Sequence, residues 1–419
     1  MTTQVTGDGG AGRRRFSTRQ LHERAAGAAP TARATPIYLT AGFEFDEYEQ
    51  AAAHFGEGRG YAYTRIGNPT VEAVEHTLAA RVAPEAWLSP AASRPAAFRN
   101  KVKLAVGGHV DAPTLGLALP GRPAVDLREC PIQERPIWDV VPDLAGFITY
   151  ARLMPYDVDA RTGELKFVIV TTNTDGELLV RFVVRTNDGV DRLSAALPAL
   201  TDRLPQIVAV SANIHPEHEA VVEGDVEIAL TPTQTLRAAV GDVTLYLQHR
   251  SFFQTNTDVA AALYRQARAW ADDVDARQVL DLYCGVGGFA LHLADGTRRV
   301  HGVEIEPSAI DSARRSATEA GSDATVTFDV GDASTLVMPE HDVPDLVVVN
   351  PPRRGIEALA DALERSCVAH VIYSSCNPTS LAADLAAMPS FDVRAARLFD
   401  MFPHTNHAEV AALLSRRPA

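Results

Sequence analysis

The stretch VLDLYCGVGGF, Val279 to Phe289, decides how the second half of the chain folds. It opens as a short apolar strand and runs into a turn carrying Gly285, Gly287 and Gly288. Glycine accepts positive φ and lets backbone come close to a ligand. The next apolar run, RVHGVEIE, ends in acids, and Glu304 stands 23 positions after Asp281. That is about the separation at which an acid meets ribose hydroxyls in nucleoside-binding βαβ units. The glycines do not follow GxGxxG, and no phosphate-binding Lys-Ser/Thr comes after them. The pattern therefore favours S-adenosylmethionine, which has no phosphate, over NAD or ATP. A tight turn with an incidental surface Glu is the plainer alternative for the loop taken alone.

Outward from this stretch, strands and helices alternate from Ser251 to the end. RVHGVEI, ATVTFDV, DLVVVNP, HVIYSSC and DVRAARLFDMF read as strands, with SAIDSARRSATEAG and LAADLAAM as helices. The alternation predicts a doubly wound parallel sheet. From Pro84 to Arg250 the chain reads as mostly β. KFVIVTTNTDGELLVRFVVRT is a hairpin about Asp175-Gly176, a strong turn dipeptide. KVKLAV (Lys101 to Val106) alternates like a half-buried strand, and VDRLSAALPALTDRL reads as a helix. Before it, a Gly/Arg-rich tail leads into Ala-rich pieces. These shifts divide the chain into 1–83, 84–250 and 251–419.

The 419 residues suffice for two or three cores, and 46% hydrophobic with 22% charged residues is ordinary for a soluble globular protein. No apolar run approaches a membrane span, and the basic N-terminus lacks the apolar core of a secretory signal. Four scattered cysteines, Cys130, Cys284, Cys367 and Cys376, argue for a reducing cytoplasm rather than a disulfide framework. A net charge of -14 excludes a uniformly basic surface, not a local basic patch. Arg94, Arg99, Lys101 and Lys103 are the candidate phosphate contacts, with Arg181 and Arg185 as the alternative.

Three further segments carry chemistry. NPPRRG (Asn350 to Gly355) puts Asn350 at the C-terminal end of a buried strand, where ligands sit in open α/β sheets. Its prolines stiffen a loop that can face a base, although such loops also serve enzymes that methylate exocyclic amines. YSSCNP (Tyr373 to Pro378) delivers Cys376 to the same edge in a polar turn. C5 of uracil is too weak a nucleophile to take a methyl group unaided. A thiolate adding at C6 makes C5 enolate-like, and a base must then remove the C5 proton. Glu409, in HTNHAEV (His404 to Val410), is the candidate base. The plain readings are a core cysteine and a surface charge. Cys367 is expected to be a small core residue and Cys284 to pack beneath the cofactor. His404 and His407 lack partners that would complete a metal site.

With these segments in order, the chain from about Pro84 resembles the RNA uracil-5-methyltransferases, closest to short members without a TRAM domain that act on 23S ribosomal RNA. FRNKVKL, GELKFV, SFFQTN, DLYCGVGG, NPPRRGI, IYSSCN and LFDMFPHTNHAEV carry the resemblance. It implies a Rossmann-like α/β methyltransferase domain preceded by a mostly antiparallel β (α+β) RNA-binding domain. It implies that Gln254, Tyr283, Glu304 and Asn350 contact S-adenosylmethionine, that Cys376 is the nucleophile and Glu409 the base. It also implies that FRNK (Phe98 to Lys101) and the β-rich region hold RNA, in a protein expected to be a monomer. The family usually joins three N-terminal cysteines to a later one around a [4Fe–4S] cluster. Here Cys130 matches the later cysteine and none precedes it, so a cluster is not expected.

Residues from about Phe16 to Arg81 resemble something else. FSTRQLH, ARATPIYLTAGFEF and GYAYTRIGNPT look like the opening of pyridoxal-phosphate enzymes of cysteine and methionine metabolism, notably O-acetylhomoserine sulfhydrylases. In that family Tyr63 and Arg65 would reach the cofactor phosphate of a neighbouring subunit. Its Schiff-base lysine has no counterpart: Lys101, Lys103 and Lys166, the chain's only lysines, all lie in the methyltransferase-like part. Residues 1–83 are thus read as a truncated fragment of a PLP-enzyme fold, and pyridoxal phosphate is not expected. The competing functions are a sulfhydrylase-related protein and an inactive RNA-binding remnant.

Overall fold

The structure, a computed structural model, describes residues 86–418 apart from 120–121, 219–221, 336–340 and 406. The fragment read as PLP-like, with Tyr63 and Arg65, lies outside the described residues save for its last few neighbours. In chain order come β1 (Trp87–Ala91), β2 (Lys101–His109), β3 (Ala112–Leu119), β4 (Arg122–Asp126) and α1 (Arg135–Tyr150). Then follow β5 (Leu165–Thr172), β6 (Leu178–Val184), α2 (Asn187–Arg203), β7 (Ile207–Ile214), β8 (Val226–Ala229), β9 (Thr235–Val240) and β10 (Val243–Gln248). The C-terminal part continues with α3 (Thr257–Asp273), β11 (Gln278–Leu282), α4 (Gly288–Leu293), β12 (Arg299–Glu304), α5 (Pro307–Glu319) and β13 (Val326–Val330). It ends with β14 (Leu346–Val349), α6 (Ala358–Arg365), β15 (His370–Ser375), α7 (Pro378–Ala387), β16 (Phe391–Phe399) and β17 (Glu409–Arg416).

The central sheet has the order β4-β3-β2-β5-β6-β7-β8 and is antiparallel except for β6 beside β7. The β5–β6 hairpin forms where the sequence puts it. Gly176 takes φ 82, and the Asn173 side chain accepts from the amides of Asp175 and Glu177 at 3.1 and 2.8 Å. Asn and Gly lower the cost of such a turn because one bonds its own backbone and the other tolerates positive φ. All seven residues of β6 are buried, and α1 and α2 cover the same core. The sequence reading missed α1. Pro136 at its start and Pro142 inside it disguise the helical period, yet Ile137, Val140, Val141, Leu144 and Ile148 form one buried face.

The C-terminal sheet has the order β1-β16-β17-β15-β14-β11-β12-β13. It is parallel throughout except for β17, which runs antiparallel to both β15 and β16. The expected all-parallel sheet therefore has one reversed strand, whose direction an apolar run cannot reveal. β1 joins this sheet by pairing with β16, although it precedes the central strands in sequence. The β9–β10 hairpin likewise packs Leu236, Ala238 and Leu245 into the core beneath α3 and α4. That core reaches Leu179 and Ala209 of the central sheet, so the two sheets share apolar contact. Cys367, expected in the core, is exposed: it lies in the surface turn between α6 and β15. No described helix is long and apolar enough to cross a membrane.

Candidate active site

β11, β12, β14 and β15 are parallel neighbours in the sheet, so the loops at their C-terminal ends meet on one edge. The turn after β11 is held in unusual backbone. Tyr283 takes φ 61, and Gly285 and Gly287 take φ 54 and 84. A non-glycine at positive φ persists only where its surroundings impose it. A Cβ on Gly285 would meet nothing within 4 Å, so the turn faces open space there, while one on Gly287 would strike Phe328 at 2.9 Å. Asp281, fully buried under the turn, accepts from the Ala290 amide at 2.9 Å through Oδ2. Its Oδ1 is buried without a partner, and burial raises its pKa to about 8.

Glu304 closes the turn from the end of β12. Its Oε2 accepts from the Gly285 amide at 3.1 Å, and Oε1 accepts from Ile305 and Glu306 at 2.9 and 3.1 Å. Three amides fix the carboxylate and leave it lone pairs for a diol. Open space over Gly285, a fixed acid and an unsatisfied buried oxygen fit a nucleoside cofactor. Cys284 is buried and its thiol is pushed well up by burial, which suits packing rather than nucleophilic work.

Asn350 follows β14 and makes no side-chain hydrogen bond among the described residues. The loop beyond it is tied to β15 and α7. Asn377 Nδ2 donates to the Arg353 carbonyl at 2.8 Å. Asp384 accepts from Tyr373 Oη at 2.6 Å and from the Ile356 amide at 2.9 Å. Gly355, at φ 92, is required there because a Cβ would lie 2.3 Å from Asp384 Oδ2. Gln254 is buried on the far side, and Asn100 Nδ2 donates to its carbonyl at 3.0 Å. Phe252, two residues before it, is 69% exposed, an aromatic the sequence reading did not single out.

Cys376 lies between β15 and α7, where Asn377 caps the helix by accepting from the Thr379 amide. β15 and β17 pair Ser374 with Ala411 and Ser375 with Val410. The ladder ends there, with Cys376 just beyond β15 and Glu409 at the start of β17, so it brings to one end of the pair two residues 33 apart in sequence (409 − 376), close enough for Glu409 to raise the thiol. The Cys376 thiol is raised by burial and by Glu409, while the Arg353 guanidinium pulls it down. Glu409 is 2% exposed, and burial lifts its pKa to about 7. His404 serves structure: its Nε2 meets the Pro95 carbonyl at 2.5 Å and its ring lies 6.4 Å from Phe98.

The basic cluster read as a phosphate surface is largely engaged within the protein. Lys101 Nζ donates to the Ser251 carbonyl at 3.1 Å, and burial lowers its pKa to about 8. Lys103 pairs with Glu223 at 2.9 Å, and Arg94 with Asp258 at 3.1 Å. Arg99 Nε donates to the Lys101 carbonyl at 3.0 Å. Arg181 is 1% exposed and held by Glu223 and Glu227. Arg185 Nε donates to the Gly163 carbonyl at 2.9 Å. By contrast Arg353, beside Cys376, and Arg354, near Tyr283, are exposed and form no ion pair among the described residues.

Neither iron–sulfur nor pyridoxal chemistry finds its donors here. Cys130 sits in a turn on Leu127, while Cys284 lies under the β11 turn, Cys376 lies near Glu409 and Cys367 is at the surface. No group of three or more His, Cys, Asp or Glu fit to hold a metal occurs among the described residues. Lys166, the remaining lysine, donates to the Glu217 carbonyl and stacks over Tyr156 at 4.8 Å.

This sheet, with a nucleoside-shaped turn and a cysteine near a buried acid, defines a methyltransferase of the S-adenosylmethionine-dependent class. The methyltransferase domain family matches residues 273–383, and the Cys/Met metabolism PLP-dependent enzyme family matches residues 17–102. A 23S rRNA (uracil(747)-C(5))-methyltransferase RlmC from Cronobacter sakazakii is 44% identical over 342 residues, covering 81% of this chain and 91% of the relative. The RlmC of Yersinia pestis (strain Pestoides F) is 44% identical over 333 residues, covering 79% and 88%. The crystal structure of Pyrococcus abyssi tRNA (uracil-54, C5)-methyltransferase, in complex with S-adenosyl-L-homocysteine, superposes with TM-score 0.69 at 25% identity and 82% coverage of each chain. The chain belongs to the 23S rRNA uracil-C5-methyltransferase family.

Proposed function

We propose that this protein methylates C5 of a uracil in 23S rRNA, in the cytoplasm, through a covalent adduct between Cys376 and C6. The observation that supports the reading is the β15–β17 ladder, which ends at Ser375 and Val410 and so leaves Cys376 and the buried Glu409 at the same end of the pair, on the edge that holds the Asn350 loop. S-adenosylmethionine supplies the methyl group when bound. Glu304 is suited to its ribose, and Gln254, Tyr283 and Asn350 are the residues proposed to contact the rest of it. Cys376 adds as thiolate to C6, and C5 would form its new bond to the methyl carbon as the methyl–sulfonium bond breaks and the neutral thioether leaves. Glu409, as carboxylate, then takes the C5 proton, and the electrons of that C–H bond restore the C5–C6 double bond as sulfur leaves. Burial suits Glu409 to this task, because a base near neutrality accepts a proton readily and still ionises.

The central sheet is the surface proposed for RNA. The donor sets do not support a cluster at Cys130 or a Schiff base at any lysine, so neither group enters the mechanism. The test is transfer of label from S-adenosylmethionine to a 23S rRNA fragment, read as 5-methyluridine by nucleoside mass spectrometry. RNA carrying 5-fluorouracil is expected to give an adduct that survives denaturing electrophoresis, because fluorine cannot leave as a proton. Methylation of an exocyclic amine or of ribose instead would overturn the reading.

A further inference from the structure

We infer that Ser374 is a positioning residue for the base, orienting Glu409 and holding it ready to ionise; the inference rests on the reading of Glu409 as the base. Ser374 is the fifth residue of β15 and is completely buried. Alternation along the strand sends Tyr373 and Ser375 to one face and Ile372 and Ser374 to the other. Tyr373 and Ser375 have partners on their own side, in Asp384 and the Asn377 turn. Ser374 shares its face with Ile372, Ala411 and Leu413, all members of one apolar cluster. A hydroxyl on such a face is costly unless bonded. Its hydrogen bond is to Glu409, whose Oε1 accepts from Ser374 Oγ at 2.5 Å.

The register explains the contact. Ser374 pairs with Ala411, so Glu409, two residues back along β17, is its diagonal neighbour on the same face. Diagonal pairs lie within reach of long side chains. Cys376 follows at the end of the same ladder, where the Glu409 charge reaches it. With Oε1 engaged by Ser374, Oε2 is the oxygen left for the C5 proton. The donor also opposes the burial that raises Glu409. Ser374 thus favours the carboxylate form that removal of the C5 proton requires, and it fixes the rotamer that aims it.

The test compares Ser374→Ala, Ser374→Thr and Glu409→Gln in the full-length protein, with turnover followed across pH 6 to 9. Loss of one hydrogen bond to a charged acceptor is expected to lower turnover of Ser374→Ala roughly ten- to a hundredfold at pH 6, with the deficit shrinking toward pH 9. The methylated Cys376 adduct on ordinary uridine RNA is expected to accumulate, because the step after methyl transfer is the slow one. Ser374→Thr keeps the hydroxyl and is expected to restore the wild-type profile. An equal loss at every pH that Thr does not rescue would reduce Ser374 to a packing residue and overturn the inference, as would a wild-type profile for Ser374→Ala. Full turnover by Glu409→Gln would instead overturn the assignment of the base.

Discussion

Buried charge at Arg181 in the central sheet and at Asp281 and Glu409 in the C-terminal sheet is handled in opposite ways. In the central sheet, Arg181 on β6 is enclosed, but Glu223 and Glu227 meet its guanidinium, and Ser211 and Asn213 bond Glu227 in turn. Its charge is compensated within the fold. In the C-terminal sheet, Asp281 and Glu409 are enclosed without a cation, and both are raised, to about 8 and about 7. A buried charge with its partners in place is tolerated and is costly only when one partner is removed, whereas uncompensated carboxylates are costly and cluster at functional sites. The difference separates a sheet that holds its shape from a sheet edge that is poised to react.

The largest expected effect tests the reactive edge. Cys376→Ala is expected to leave no measurable methyl transfer and no adduct with 5-fluorouracil RNA, while S-adenosylmethionine binding by calorimetry stays intact. Substantial turnover by this variant would place the nucleophile elsewhere and remove the reason for the raised Glu409.

Next comes the compensated side. Arg181→Met keeps the length of the side chain and leaves Glu223 and Glu227 without their main cation. Removing one member of a buried pair costs roughly 3–5 kcal/mol, and chemical denaturation should show a loss of that order. A loss below about 1 kcal/mol, the level of an exposed pair, would mean that water already screens the cluster and would erase the contrast.

The motifs made the reactive edge legible in the sequence, because strand ends, glycine turns and NPP and SCNP loops are local patterns. Asn350, Cys376, Glu304 and the β5–β6 hairpin all lie where their segments imply. What the sequence could not give was pairing between distant strands. Arg181 meets Glu227 across β7, and Lys103 meets Glu223, so residues read as free cations are neutralised by partners 46 and 120 positions away. The reversal of β17 was hidden for the same reason, and with it the approach of Cys376 to Glu409. Ser374 carried no signal in the sequence, and only its pairing with Ala411 brings it to the acid.

Cofactor binding is expected to respond on a smaller scale. Glu304→Gln keeps the shape but loses the charge that three amides hold and that the proposed ribose contact would use. Hydrogen bonds to a charged acceptor contribute roughly 1.5–3 kcal/mol each, so affinity for S-adenosylmethionine should fall by about ten- to a hundredfold. Unchanged affinity by calorimetry would show that the acid serves only the Gly285 turn.

The pH dependence of turnover sharpens the contrast further. The proposed mechanism needs Glu409 as carboxylate and Cys376 as thiolate, and both are raised above their ordinary values. Turnover is therefore expected to rise as pH passes through about 7. Stability moves the other way. Asp281 and Glu409 hold protons in the folded protein that the unfolded chain has released, so the folded state loses ground as pH rises from the ordinary carboxylate range through about 7 and about 8. Asp281→Asn should flatten that decline in melting temperature; an unaltered slope would mean that its burial carries no such cost.

The smallest effect concerns RNA and divides the two sheets most finely. Lys103 is paired with Glu223, whereas Arg353 and Arg354 stand exposed without an ion pair among the described residues. A cation already neutralised releases few counterions from RNA when it binds, and a free one releases its share. Replacing Arg353 and Arg354 by Gln should lower the slope of log affinity against log salt by roughly 0.7 per lost phosphate contact on single-stranded RNA. Lys103→Gln should leave the slope nearly unchanged and act, if at all, on stability. Should Lys103→Gln flatten the slope while the arginine variants do not, the pair with Glu223 must open on RNA binding. The central sheet would then be the electrostatic surface after all, its compensated charge held in reserve for RNA.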